Sequence, residues 1–200
     1  ETQMDMLLLV SPNGGRKTAL AKILAATLFL LLTSLWFSLL DLIGFAASFQ
    51  TFEGLALPVF AIPNFAEASV NLSIFQYVLL SAALKCAGAW VMGMLWLLVS
   101  MFWKNALLPF VIDFALCMAL TVSGAACAYS NFFWTKVLNP YSLLTNRVLL
   151  GKTEFVNLGG FPVLTWQAAT WSALIAGLVL AAAIYFLSAE NCHRCVRRAK

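Results

Sequence analysis

The chain has 200 residues, 62% hydrophobic and 10% charged, with a mean hydropathy of +0.91 and a formal net charge of +4. An ordinary soluble domain is about a quarter charged, so a water-soluble globule and a disordered tail are both excluded and the chain reads as an integral membrane protein. Attraction to anionic lipid accounts for the positive balance, and no nucleic-acid partner is implied.

In chain order, the opening Glu1-Thr2-Gln3-Met4-Asp5-Met6-Leu7-Leu8-Leu9-Val10 places Met4, Leu7 and Leu8 at i, i+3 and i+4, with Glu1 and Asp5 on another face. That spacing predicts a short amphipathic helix. Ser11-Pro12 and Gly14-Gly15 are predicted to end it, and Arg16, Lys17 and Lys22 follow. Residues 1–17 thus read as a surface segment docked at the membrane. Gly14-Gly15-Arg16-Lys17-Thr18 has the superficial look of a phosphate-binding loop, but it lacks the earlier glycine and the preceding strand that such a loop requires.

Four stretches follow that are long enough to cross a hydrocarbon core, which takes about 20 apolar residues per helix: residues 20–45, 74–101, 106–129 and 166–189. The bilayer offers no water to a bare backbone, so each must be helical. The predicted fold is an all-α membrane protein, a polytopic bundle with four spans in one domain over residues 1–200. Between the first two spans, residues 46–73 are rich in Phe and carry Glu53, Gly54, Pro58 and Pro63; they are predicted to lie along the membrane surface. Only Phe102-Trp103-Lys104-Asn105 separates the second span from the third, which predicts a tight antiparallel hairpin.

Residues 130–165 form a connection of the length that functional loops reach. They hold Phe132, Phe133, Trp134, Asn139-Pro140-Tyr141 and Gly159-Gly160-Phe161-Pro162, a mixture that predicts short helices dipping into the outer leaflet. Residues 190–200 make a basic tail. Arg16, Lys17, Lys22, Lys104, Arg194, Arg197, Arg198 and Lys200 gather at one set of span ends, against Lys136, Arg147 and Lys152 at the other. Cationic residues are retained on the cytoplasmic side, so both termini of this chain are predicted to be cytoplasmic.

Asp41, Lys85 and Asp113 fall within spans. Each costs about 2.5–3.5 kcal/mol on insertion, so each should face protein or water. Helical side chains tilt toward the N-terminus, which makes Asp41 on an outbound helix and Lys85 on an inbound one lean toward each other; an ion pair is the expectation, and a place on a substrate path the alternative. Asp113 lies near the inner end, out of reach of Lys85. Ala82, Ala83, Ala87, Gly88, Ala89 and Gly93 in the second span, with Ser123-Gly124-Ala125-Ala126 in the third, predict close helix contact within the chain or at a dimer seam. Trp36, Trp90, Trp96, Trp103, Trp134, Trp166 and Trp171 read mostly as interfacial anchors.

Of the five cysteines, Cys86, Cys117 and Cys127 lie in spans and Cys192 and Cys195 in the tail, which suggests no oxidised framework. Cys192-His193-Arg194-Cys195 lacks the second pair that a closed zinc site needs. A membrane-embedded enzyme would need a convergent set of groups in one cavity. Here His193 lies outside the spans, and Asp41 and Asp113 lie at opposite depths.

Glu1, Leu7-Leu8, Ser11-Pro12, Gly15-Arg16-Lys17 and Lys22 at the start are followed by Gly54-Leu55, Gln76, Ser100 with Lys104-Asn105, Pro109, and Asn139-Pro140-Tyr141. In this order, over nearly the whole chain, they resemble the membrane-spanning permease subunit of a bacterial type-2 ATP-binding-cassette (ABC) exporter. The resemblance implies a transport subunit, not an enzyme, that moves an amphiphilic substrate such as a drug, an antimicrobial peptide or a lipid-like molecule by alternating access across the bacterial plasma membrane. It implies ABC ATPase subunits as partners, a second permease copy or related subunit, and membrane lipid. No cofactor belongs to this chain, since ATP and Mg sit in the ATPase. Family members have six spans with a coupling segment between the second and third. On that pattern two leading spans would precede this chain, residues 20–45 would be the third span, and Glu1, Met4, Leu7, Leu8 and Arg16 would contact the ATPase. The alternative left by the residues alone is an ion-coupled carrier or channel using Asp41, Lys85 and Asp113.

Overall fold

The computed structural model describes residues 14–49, 53–62, 65, 67–68, 71–103, 107–128 and 133–198. Among them are four helices long and apolar enough to cross a membrane: α1 (Gly14–Phe49), α2 (Ile74–Ser100), α3 (Leu107–Ala128) and α7 (Thr165–Arg198). The opening segment with Glu1, Met4, Leu7 and Leu8 lies outside the described residues. Arg16 falls in the first turn of α1. Gly14 and Gly15, expected to act as breakers, are helical; a glycine costs a helix only about 1 kcal/mol, little against the long apolar run that follows. At the other end, α7 runs through the expected tail to Arg198, because its last twenty or so residues hold no glycine or proline to stop it.

One end of the bundle brings Thr18, Ala19 and Lys22 of α1 together with Leu97 and Ser100 of α2 and Ile184 and Ser188 of α7. The start of α1 therefore meets the ends of α2 and α7, and α1 runs antiparallel to both. We call this the basic end, for Lys17 and Lys22. Central in the bundle is α2, with Leu84, Gly88, Val91, Met92, Gly93 and Met94 buried. By contrast, Ala19 is the one buried residue among the described side chains of α1, and Pro109 the one among those of α3. Leu107, Phe110, Phe114, Met118 and Val122 leave an exposed stripe down α3, at the three- and four-residue spacing of a single helix face. Such a face suits lipid.

Between α1 and α2, two short 3-10 helices, Glu53–Ala56 and Val59–Ala61, close over the helix ends. Pro58 bridges to Ser73, Val59 N donates to Leu72 O at 3.0 Å and Ile74 N to Leu57 O at 2.8 Å. Leu55, Val59 and Ile74 are buried there against Leu42, Ile62, Phe65 and Tyr77. Ser73 starts α2 with a capping box: Gln76 N donates to Ser73 Oγ at 3.3 Å and Ser73 N to Gln76 Oε1 at 3.2 Å. That reciprocal pair satisfies two otherwise orphaned donors.

The second connection holds α4 (Phe133–Leu138), α5 (Pro140–Thr145) and α6 (Arg147–Leu150), then β1 (Phe155–Leu158) and β2 (Phe161–Leu164). The antiparallel hairpin was not among the expected elements. Its register pairs Phe155 with Leu164 and Leu158 with Phe161, leaving Gly159 and Gly160 as a two-residue turn at φ 62° and 100°. Only such positive φ values match the twist of the flanking strands, so the Gly-Gly pair between Val156-Asn157-Leu158 and Phe161-Pro162-Val163 was the signal. Asn157 Oδ1 accepts from Gly160 N at 2.8 Å and holds the turn.

Candidate functional site

Three arrangements bear on function, and the first is the seam between α1 and α2. Lys85 Nζ donates to Asp41 Oδ2 at 2.8 Å, with the two side chains 36% and 63% exposed. These are the two residues that stagger and side-chain tilt set leaning together. Nearer the basic end, Trp90 Nε1 donates to Thr27 Oγ1 at 3.2 Å, and Leu30 of α1 fills the notch left by Gly93 of α2. The seam thus includes an ion pair, a hydrogen bond and a knob in a socket. Asp113 is not part of it. It lies on α3 about 9 Å past Leu107, with Oδ1 buried and without a hydrogen-bond partner among the described residues.

The second arrangement is the fold-back of residues 133–150. Asn139 caps α5, its Oδ1 accepting from Tyr141 N at 3.0 Å, while its Nδ2 donates to Leu120 O at 3.0 Å and Ser123 Oγ at 3.2 Å on α3. Asn146 ends α5 in the left-handed region at φ 53°, and its Nδ2 donates to Ser81 O at 2.9 Å and Ser81 Oγ at 2.8 Å on α2. Between them the buried Ser142 hydroxyl lies 2.6 Å from Asn139 O and 2.7 Å from Lys136 O. Leu143, Leu149 and Leu150 join Leu84, Val91, Ala169 and Ala173 in the main core cluster. Lys136, itself buried, donates to both Glu154 carboxylate oxygens at 3.0 Å.

These short helices, expected to dip into the outer leaflet, pack against α2, α3 and α7. The reason is their polar cargo. Irregular backbone and amide side chains at this depth are tolerated only where protein covers them, and the two asparagines find their partners on the spans. Sequence reading passed over Asn139, Ser142, Asn146 and Ser81 as functional positions, although Asn139-Pro140 carries the N-cap and N1 signature of a helix start.

The small residues of the spans work as sockets within the chain. A Cβ on Gly88 would lie 3.0 Å from Pro140 O and 3.1 Å from Leu143 Cβ, and one on Gly124 would lie 2.9 Å from the Tyr141 ring. Gly177 of α7 makes room for the indole of Trp90 in the same way. Trp90 is therefore no interfacial anchor: it is held between α1 and α7. Trp166 packs on the main core, while Trp36 and Trp171 are 61% and 66% exposed.

No family model, curated protein or solved structure matches the chain. What stands is a mostly helical protein with four membrane-length helices.

The third arrangement is a cavity of about 130 Å³ at the basic end, lined by Thr18, Ala19, Lys22, Leu97, Ser100, Met101, Ile184 and Ser188. It lies where α1, α2 and α7 meet. Among the described residues no group of three or more His, Cys, Asp or Glu comes together as metal ligands. Cys192, His193 and Cys195 fall on the last turns of α7.

Proposed function

We propose that the chain is the membrane subunit of an ATP-driven exporter of the type-2 ABC class, moving an amphiphilic substrate by alternating access while separate ATPase subunits hydrolyse ATP. One observation carries this reading. Helix α1 runs unbroken for 36 residues, from Gly14 at the basic end to Phe49, and is tied to α2 by Leu30 at Gly93, Thr27 with Trp90 and Asp41 with Lys85. A push on the segment that precedes α1 would therefore travel about 50 Å along a single helix and take α2 with it. That is the mechanical part a transporter needs if it is driven from one side by rigid-body tilting. Residues 1–10 would be the pushed element, with Met4, Leu7 and Leu8 as the apolar contact and Glu1 and Arg16 as its charged flanks.

In this reading the chain performs no chemistry. A second permease copy or related subunit would complete the path, and ATP and Mg would reside wholly in the ATPase. The rival, an ion-coupled carrier, draws on the Asp113 carboxylate, whose buried Oδ1 lacks a partner among the described residues. Among the described residues Asp113 makes no ion pair or hydrogen bond with Asp41 or Lys85, so a relay through all three would have to be completed by other groups.

The test is transport in inverted vesicles containing the chain and its ATPase. Accumulation of an amphiphilic dye should require ATP, and Leu7→Asp with Leu8→Asp should leave the chain inserted but detach the ATPase or uncouple hydrolysis from uptake. Dye movement that follows a proton gradient and ignores ATP would overturn the proposal in favour of the carrier.

A further inference from the structure

The cavity at the basic end has a chemistry that transport by tilting helices does not require. Its volume of about 130 Å³ corresponds to roughly four water molecules, far below the ~300–1,000 Å³ of a pocket for a drug-sized molecule. The lining is divided. Lys22 supplies a cation, and Thr18, one turn before it on α1, supplies a hydroxyl; the Ser100 and Ser188 hydroxyls lie across from them on α2 and α7. Leu97, Met101 and Ile184 make the other wall, and among the described residues no carboxylate lines the space. Ser100 Oγ donates to Leu97 O at 2.7 Å, and on α1 Lys22 and Thr18 are the lining residues that carry side-chain donors.

A compact anion suits this set: the ammonium meets its charge and the hydroxyl its lone pairs. The apolar wall adds a second requirement. A fully hydrated anion gains nothing from Leu97, Met101 and Ile184, whereas one that carries hydrocarbon does. On the same face of α1 as Thr18 and Lys22, Phe29 is 68% exposed, so a hydrocarbon chain leaving the cavity along α1 meets apolar surface about 10 Å past Lys22. Basic pockets between membrane helices near the membrane surface are where anionic head groups bind.

We infer that this cavity is a binding site for the phosphate group of an anionic phospholipid, with Lys22 and Thr18 holding the phosphate oxygens and the acyl chains lying along α1. The site joins α1 to α2 and α7 at the end where α1 begins, so an occupied site steadies that junction. This inference stands whether the chain is driven by ATP or by an ion gradient.

The experiment uses the full chain in a neutral detergent. Retained lipid is counted by native mass spectrometry, and the thermal midpoint is followed on adding phosphatidylglycerol, phosphatidylcholine or inorganic phosphate. The wild type should bind phosphatidylglycerol roughly tenfold more tightly than phosphatidylcholine, the scale of one charge-assisted contact, and should be stabilised by it. Lys22→Met and Thr18→Val should each remove most of that preference, and Lys22→Arg should keep it. Lys17→Met, which alters an exposed cation outside the cavity lining, should leave it unchanged. If Lys22→Met fails to fold, the near-isosteric Thr18→Val carries the test alone. Equal losses in Lys17→Met and Lys22→Met would reduce the effect to diffuse surface charge and overturn the site. So would a wild type that does not distinguish the two lipids, and full stabilisation by inorganic phosphate would assign the cavity to a free anion instead.

Discussion

Two elements lean on α2, and they are held by opposite means. Helix α1 lays 36 residues along the bundle but buries only Ala19 among its described side chains, relying on a few discrete contacts along the seam. The six-residue α5 has Ser142 and Leu143 buried, is capped by one asparagine and ended by another, and sits in sockets on α2 and α3. Inside a bilayer lipid tails are as apolar as leucine, so exposed apolar length does not bind a helix to its neighbours; close approach and polar links do. The long helix is therefore the more lightly buried of the two, and the short one is locked to α2 and α3.

Glycine replacement breaks this comparison most sharply. At Gly88 a new side chain meets Pro140 O and Leu143, backbone and core that have nowhere to go, so Gly88→Val should cost about 2–3 kcal/mol by overpacking. At Gly93 the obstacle is the terminal methyl of Leu30, which can swing aside, and Gly93→Ala should cost under about 1 kcal/mol. Thermal unfolding in detergent reads both. Equal losses would show the two seams to be equally stiff.

Next in size is Asn146→Ala, which removes both bonds to Ser81 and places alanine at φ 53°. About 2 kcal/mol of destabilisation is expected. Asn146→Gly, free to adopt that φ, should recover the conformational part and leave the hydrogen-bond part. Full recovery by glycine would mean that the amide is not what fastens α5.

On the α1 side, Asp41→Asn and Lys85→Met should each cost well below the ~3–5 kcal/mol of a fully buried pair, because the two side chains are 63% and 36% exposed. The double variant should be more stable than the less stable single one, since no orphaned charge remains; strictly additive losses would show the residues to be independent. Small as well should be the effect of Trp90→Phe. It keeps a ring against Gly177 and drops only the bond to Thr27, for about 1 kcal/mol, and an unchanged midpoint would remove that bond from the seam.

The four spans were legible because bilayer thickness dictates length and the absence of water dictates helix. The meeting of Asp41 with Lys85 was legible too, since stagger along antiparallel helices and side-chain tilt are both readable from position. What escaped was whether a short apolar piece faces lipid or protein. A six-residue helix is too brief for its periodicity to choose a partner, and Leu143-Leu144 looks the same in either setting. Asn139 and Asn146 held the missing information, because amides with unmet hydrogen bonds exclude lipid. The hairpin was missed for a related reason: Gly159-Gly160 stood in so apolar a stretch that its turn chemistry was read as membrane-dipping helix. The sockets at Gly88, Gly93 and Gly124 were foreseen as small residues, but what fills them, Pro140, Leu30 and Tyr141, comes from elements far away in the sequence, and Gly177, which takes Trp90, was not singled out.

The position of Trp90 has a spectroscopic consequence. Its indole N–H is engaged by Thr27 of α1 while its ring presses on Gly177 of α7, so the fluorophore straddles the first and last long helices. With the six other tryptophans of the chain replaced by phenylalanine, the emission of Trp90 becomes a gauge of the gap between them. It should shift to the red if tilting of α1 admits water around the ring, and hold its wavelength while the two helices stay clasped.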